Sequence, residues 1–191
     1  PLSKHIDTLT ECNECASYSH IILANHRLPA IAELNLQNVD VQHDEHGINI
    51  NNSCQTSNPK IFAVGECAGC QHSAGFSLLQ GRVAAEAACG LDSQIDSTVV
   101  PQVVWSYPEL AQCGSLESGL SVSMKWGHSG IALALGQQSG MTKLTYDEES
   151  QGVLGIGIAG VGATELISEA VLAIEMGATL YDLANTVHPH P

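Results

Sequence analysis

The chain has 191 residues, 44% of them apolar, and 6 Lys+Arg stand against 20 Asp+Glu for a formal charge of −14. That size and apolar share support a buried core of one or two domains and exclude a disordered polyelectrolyte. So acidic a surface repels phosphate backbones and anionic lipid, and no apolar run approaches the roughly 18 residues of a membrane span, so neither nucleic acid nor membrane is expected as a partner.

Residues 1–18 show no clear period. Residues 19–25 have a continuous apolar centre and read as a buried strand, stopped by Pro29. Alternating residues on either side of Asp44-Glu-His-Gly47 predict a hairpin with a glycine at its turn. Residues 59–65 read as a second buried strand. A helix follows over 76–89, with Phe76, Leu79, Val83 and Ala87 on one face and Gly90 as its C-terminal stop. The polar stretch 92–97 is the expected domain boundary.

Beyond it come short apolar stretches at 103–105, 131–135 and 141–146. A polar turn over 147–152 then leads into 153–158, and the last two stretches are expected to pair antiparallel. A helix of about four turns follows, with Leu166, Ala170, Val171 and Ile174 as its buried stripe and Gly177 at its end. Thr179 and Asp182 resemble a capping box for a final short helix. Trp105, Trp126 and Tyr146 read as packing residues. Strands followed by helices predict an α+β domain with helices on one sheet face.

Seven cysteines, an odd number with no apolar leader, point to free thiols in a reducing, cytoplasmic setting. Cys12-x-x-Cys15 and Cys67-x-x-Cys70 have the spacing of a thiolate pair on zinc or of a redox pair. Their wide separation favours a third reading, in which the cysteines pack as small hydrophobes.

Three segments carry a family resemblance. Ile61-Phe-Ala-Val-Gly65-Glu66, with Gly81-Arg82 on the following helix, resembles the second flavin-binding motif of the pyridine nucleotide–disulfide oxidoreductases. Ala24-Asn-His-Arg27-Leu-Pro29 resembles their junction between nucleotide and flavin domains, with His26 in place of a glycine. Residues 140–191, ending in His188-Pro189-His190-Pro191, resemble the C-terminal interface domain of the dihydrolipoamide dehydrogenase branch.

The resemblance implies a C-terminal FAD/NAD-linked reductase dimerisation domain, an antiparallel sheet with helices on one face, preceded by a partial FAD-binding α/β segment. The divisions would be residues 1–26, ending the nucleotide-binding domain; 27–98, completing the FAD-binding domain; and 99–191, the dimerisation domain. The implied cofactors are FAD and NAD, both requiring a further N-terminal region. The implied partners are a second copy of the chain and a 2-oxo acid dehydrogenase complex.

Gly65, Glu66, His72, Ser73 and Ala74 are the implied cofactor-binding residues. Glycine admits close backbone approach, a carboxylate at the strand end takes ribityl hydroxyls, and the helix start offers free N–H groups. Glu66 stands where the family usually has Asp, which moves the carboxylate by about 1.5 Å. His190 is the implied catalytic acid/base, acting across the dimer, because an imidazole titrating near 6.5 suits thiol proton transfer. In the family a carboxylate follows a few residues after that histidine. The sequence stops short of that position, so the chain by itself is expected to be inactive. Two alternatives stay open: a stand-alone dimerisation or binding module, and a sibling mercuric or glutathione reductase-like enzyme.

Overall fold

A computed structural model describes residues 19, 20, 22, 27–69, 73–97 and 99–190, together with the backbone of 6–9 and 15–18. β1 (Ile6–Leu9) and β2 (Cys15–Tyr18) form an antiparallel pair. The strand expected over 19–25 falls mostly outside the described residues. Of those described, Ser19, His20 and Ile22 are not in a strand. Ile22 is 91% exposed, since an apolar run becomes a buried strand only where neighbours cover it.

The next segment folds around Ile31, Leu36, Val41, Ile48, Ala63 and Ala68, which form one buried cluster. β3 (His43–Asp44) and β4 (Gly47–Ile48) make the expected hairpin, with Glu45 and His46 at its turn and Gly47 just after it. Residues 59–65 are not a strand. Their backbone bonds go to a neighbouring loop, with Ala63 N donating to Cys54 O and Thr56 N to Ile61 O, leaving one isolated bridge between Gln55 and Phe62.

Helix α1 (Ala74–Ala88) begins two residues earlier than the sequence pattern suggests. Ser73 is its N-cap, the hydroxyl oxygen accepting from Phe76 N at 3.3 Å. Phe76, Gln80, Val83 and Ala84 are its buried residues, with Cys54 packed beside Val83 and Ala84.

The remainder is an antiparallel five-stranded sheet built from β5 (Gln102–Val104), β6 (Leu110–Gly114), β7 (Leu120–Lys125), β8 (Met141–Tyr146) and β9 (Val153–Ala159), in the order β5-β6-β9-β8-β7. β8 and β9 pair antiparallel as expected, Met141 opposite Ala159 and Leu144 opposite Ile156. The stretch 131–135 is not a strand but part of a short helix, α2 (Gly130–Ala134), capped by Ser129.

α3 (Ala163–Glu175) lies on the sheet, burying Ala163, Ile167 and Ala170 against Ala111, Cys113, Ile156 and Ile158, with Ala173 also buried. Val171 and Ile174 flank this core as expected, but Leu166 faces outward at 51% exposure. The buried phase follows the small alanines, which let the helix approach the sheet closely. α4 (Leu180–Asn185) carries the expected capping box, with Thr179 N donating to Asp182 Oδ2 at 2.8 Å and Asp182 N donating back to Thr179 Oγ1.

Trp126 fixes the turn between β7 and α2. Its ring occupies the space a Cβ would need at Gly140 and at Gly160, and its indole N–H donates to Thr142 Oγ1 at 3.0 Å. Trp105, expected to pack, is instead 79% exposed.

Candidate functional site

Gly65, Glu66, Ser73 and Ala74 gather around the entrance of α1. His72 lies outside the described residues. Gly65 has φ +77, a left-handed conformation that glycine adopts without strain. Its N–H donates to Gln80 Oε1 at 2.6 Å. Gln80 is fully buried, and its backbone carbonyl accepts from the Cys54 thiol at 3.5 Å. One side chain on α1 thus pins the Gly65 turn to the helix that follows it.

Residues Gly65–Ala68 form a single 3-10 turn after that glycine. Glu66 is the second residue of the turn, and Arg27 Nη2 meets its Oε1 at 2.5 Å. Arg27 of the junction motif and Glu66 of the flavin motif are therefore neighbours, although nearly forty positions separate them in the sequence.

Beside the helix start is a cavity of about 450 Å³, lined on one side by Ser73, Ala74 and Gly75 and on the other by Pro101, Gln102, Val103 and Trp105. The Ala74 and Gly75 N–H groups come before Ser77 N, the first donor of the intrahelical ladder, so the helix start leaves free donors and positive dipole at this space. A Cβ built at Gly75 comes no closer than 3.8 Å to a neighbour, the Ser73 hydroxyl. This end fits an electron-rich planar group with an acceptor edge, as a flavin ring has. The Gly65 N–H does not serve such a ligand directly, because Gln80 already holds it.

His190 stands apart from this cluster, exposed in the segment after α4. The histidine two residues before it is fastened: the His188 ring meets Glu169 Oε1 at 2.7 Å. That hydrogen bond, then the carboxylate's charge, raise the His188 pKa above its ordinary value. Glu169 is an addition the sequence pattern does not offer, since a glutamate on the outer face of a helix carries no local signal of its partner.

Glu109 is a second such residue. Its carboxylate accepts from Thr164 Oγ1 at 2.7 Å and from Thr164 N at 3.1 Å, closing the start of α3, where Gly162 supplies no side-chain cap. The Thr164 hydroxyl, then the Thr164 N–H, lower the Glu109 pKa.

For the cysteine pairs, Cys12 and Cys70 lie outside the described residues, and nothing is described of the Cys15 side chain. Cys67 Sγ donates to Val64 O at 3.2 Å. Among the described residues no group of three or more His, Cys, Asp or Glu is placed to hold a metal ion, and no helix is long and apolar enough to cross a membrane.

The sheet with its covering helices and the histidine-bearing tail define a class: residues 100–191 match the pyridine nucleotide-disulphide oxidoreductase dimerisation domain. That domain, and the similarity of the rest of the chain to dihydrolipoyl dehydrogenases, make it resemble the C-terminal part of a dihydrolipoyl dehydrogenase-like pyridine nucleotide-disulphide oxidoreductase. It is 36% identical over 179 residues to dihydrolipoyl dehydrogenase 2 of Haloarcula marismortui, covering 89% of this chain and 38% of that protein. It is 39% identical over 180 residues to the dihydrolipoyl dehydrogenase of Thermus scotoductus, covering 90% and 39%. The chain thus spans about two fifths of the length of these relatives.

Among solved structures, LpdA of Mycobacterium tuberculosis superposes with a TM-score of 0.89 at 23% identity, over 97% of this chain and 44% of that one. The HOCl-induced flavoprotein disulfide reductase RclA of Escherichia coli gives 0.84 at 21% identity, over 98% and 45%. At such identities the likeness establishes the fold alone. It agrees with the expected antiparallel sheet and its helices.

Proposed function

We propose that this chain serves as the C-terminal part of a cytoplasmic, FAD-dependent enzyme that oxidises a dihydrolipoamide-type dithiol to its disulfide. Two thiols lose two electrons and two protons overall; NAD+ takes up a hydride and one proton is released. The observation that carries this reading is the match to dihydrolipoyl dehydrogenases across about nine tenths of the chain. The donor-lined cavity at the start of α1 supports it.

In this reading residues 1–26 end the nucleotide-binding domain, 27–98 complete the FAD-binding domain and 99–191 build a homodimer. Gly65, Glu66, His72, Ser73 and Ala74 line the flavin. Bound FAD would supply the redox chemistry, passing electrons from thiol to nicotinamide. Ser73 and Ala74 would hold and orient it by the helix entrance, and Glu66 would accept hydrogen bonds from its ribityl hydroxyls. His190 would take the substrate thiol proton and return it, across the two-fold axis. A 2-oxo acid dehydrogenase complex is the proposed larger assembly.

The test is lipoamide-dependent NADH turnover, run on the 191-residue chain and on the same chain joined to a complete N-terminal flavin and nicotinamide region and to a carboxylate-bearing segment after His190. The chain alone is expected to sediment as a dimer with no turnover, and the joined protein to turn over. Turnover by the isolated chain, or an inactive joined protein that nonetheless binds FAD, would count against the assignment.

A further inference from the structure

After Thr186 the chain leaves α4, and Val187 is 95% exposed. The next residue is fastened. His188 donates a ring N–H to Glu169 Oε1 at 2.7 Å, reaching from the tail to the outer face of α3. Both side chains are about half exposed, at 53% and 48%, so this is a surface tether and not a buried pair.

The segment beyond the tether is short and stiff. Pro189 fixes its own φ and restricts His188; Pro191 does the same for His190. Two extended residues span at most roughly 7 Å. The position of His190 relative to α3 is therefore set largely by where His188 is held.

We propose that Glu169 and His188 are positioning residues, a clamp between α3 and the tail that presents His190 to the dithiol site of the opposite subunit. This rests on the proposed acid/base role of His190. The charged group acting on the His188 ring is Glu169, from α3; the uncharged Thr186 backbone, at the end of α4, adds a hydrogen bond, and both favour the protonated ring. With its folded pKa raised, the charged clamp is fully present below the ordinary histidine value of about 6.5. It is lost as pH rises through the raised value. Above that the neutral ring retains one N–H for a weaker bond.

Two measurements separate the clamp from the acid/base assignment. In the 191-residue chain, NMR titration of the histidine rings and 15N relaxation of residues 187, 188 and 190 compare wild type with Glu169→Gln and Glu169→Asp. The expected result is that Glu169→Gln returns His188 to about 6.5 and raises mobility at all three positions, while Glu169→Asp keeps part of the shift. A His188 titration and tail mobility unaffected by Glu169→Gln overturn the clamp.

In the joined enzyme, Glu169→Gln and His188→Asn are expected to lower kcat about tenfold, equivalent to about 1.4 kcal/mol, with the dithiol KM changed less than twofold. The activity of Glu169→Gln should also fall away at lower pH than that of the wild type, while His188→Asn should lack that fall. A freed tail with kcat and pH profile intact overturns the positioning role. Full turnover by His190→Gln removes the acid/base assignment, and the positioning role with it, while the NMR result still decides whether the tether exists.

Discussion

Gln80 shows how one side chain joins the Gly65 turn to the helix that follows it. It is fully buried, and its amide oxygen takes the Gly65 N–H at 2.6 Å. Replacing it by Leu keeps much of the volume but leaves that N–H without its acceptor, which costs about 1–3 kcal/mol. Urea unfolding of Gln80→Leu should give a lower midpoint with an unchanged slope; an unmoved midpoint would show that water or a shifted backbone replaces the bond. Gln80 lies beside Gly81-Arg82, residues the sequence marks by family resemblance, yet nothing in the local pattern distinguishes an inward glutamine from an outward one. Glu169 is equally hidden, because its meaning depends on a tail nineteen positions away folding back. Gly65 and Ser73 are reached through the family resemblance, and the Ser73 cap is not read from the local pattern, which starts the helix at Phe76.

At the scale of elements, legibility follows the reach of the determining forces. β8, β9, α3 and α4 are readable because period, turn residues and caps all lie within a few residues of one another. The stretch 131–135 is not, since a five-residue apolar run fits strand and helix alike; the Ser129 cap decides it. β7 alternates Leu120, Val122 and Met124 with Ser121, Ser123 and Lys125, a period-two signal in a stretch where no strand is expected from the apolar runs alone.

Glu109 shows an element held from a distance, its carboxylate capping α3 in place of a residue of the helix. Because its folded pKa is lowered, by the Thr164 hydroxyl first and the Thr164 N–H second, the cap is fully present above the ordinary Glu value of about 4.3. It is lost as pH falls through the lowered value. Hydrogen exchange at the Thr164 amide is expected to gain an acid-dependent opening, beyond the intrinsic pH dependence of exchange, in wild type but not in Glu109→Gln. The same acid-dependent opening in both proteins would place the titrating group elsewhere.

For the whole molecule, apolar exposure and net charge act against each other. Tyr107 is 85% exposed and Met124 69%, and the sheet face opposite α3 carries a cavity of about 440 Å³ lined by Val104, Leu110, Met141 and Gly157, among others. Exposed apolar surface on this scale favours association of two copies. Each copy carries −14, so bringing two together meets a repulsion that has little to do with the contact itself. Salt screens that repulsion: the Debye length falls from about 30 Å at ~0.01 M to about 8 Å at physiological ionic strength, while apolar burial is nearly untouched. Dimer affinity is therefore expected to rise by on the order of tenfold over that range, about 1.4 kcal/mol, as read by sedimentation equilibrium. The opposite slope, weakening with salt, would mean that ion pairs between protomers dominate the interface, and with only 6 Lys+Arg in each chain few such pairs can form. A dimer held by apolar contact against its own charge fits the dimerisation domain that residues 100–191 match.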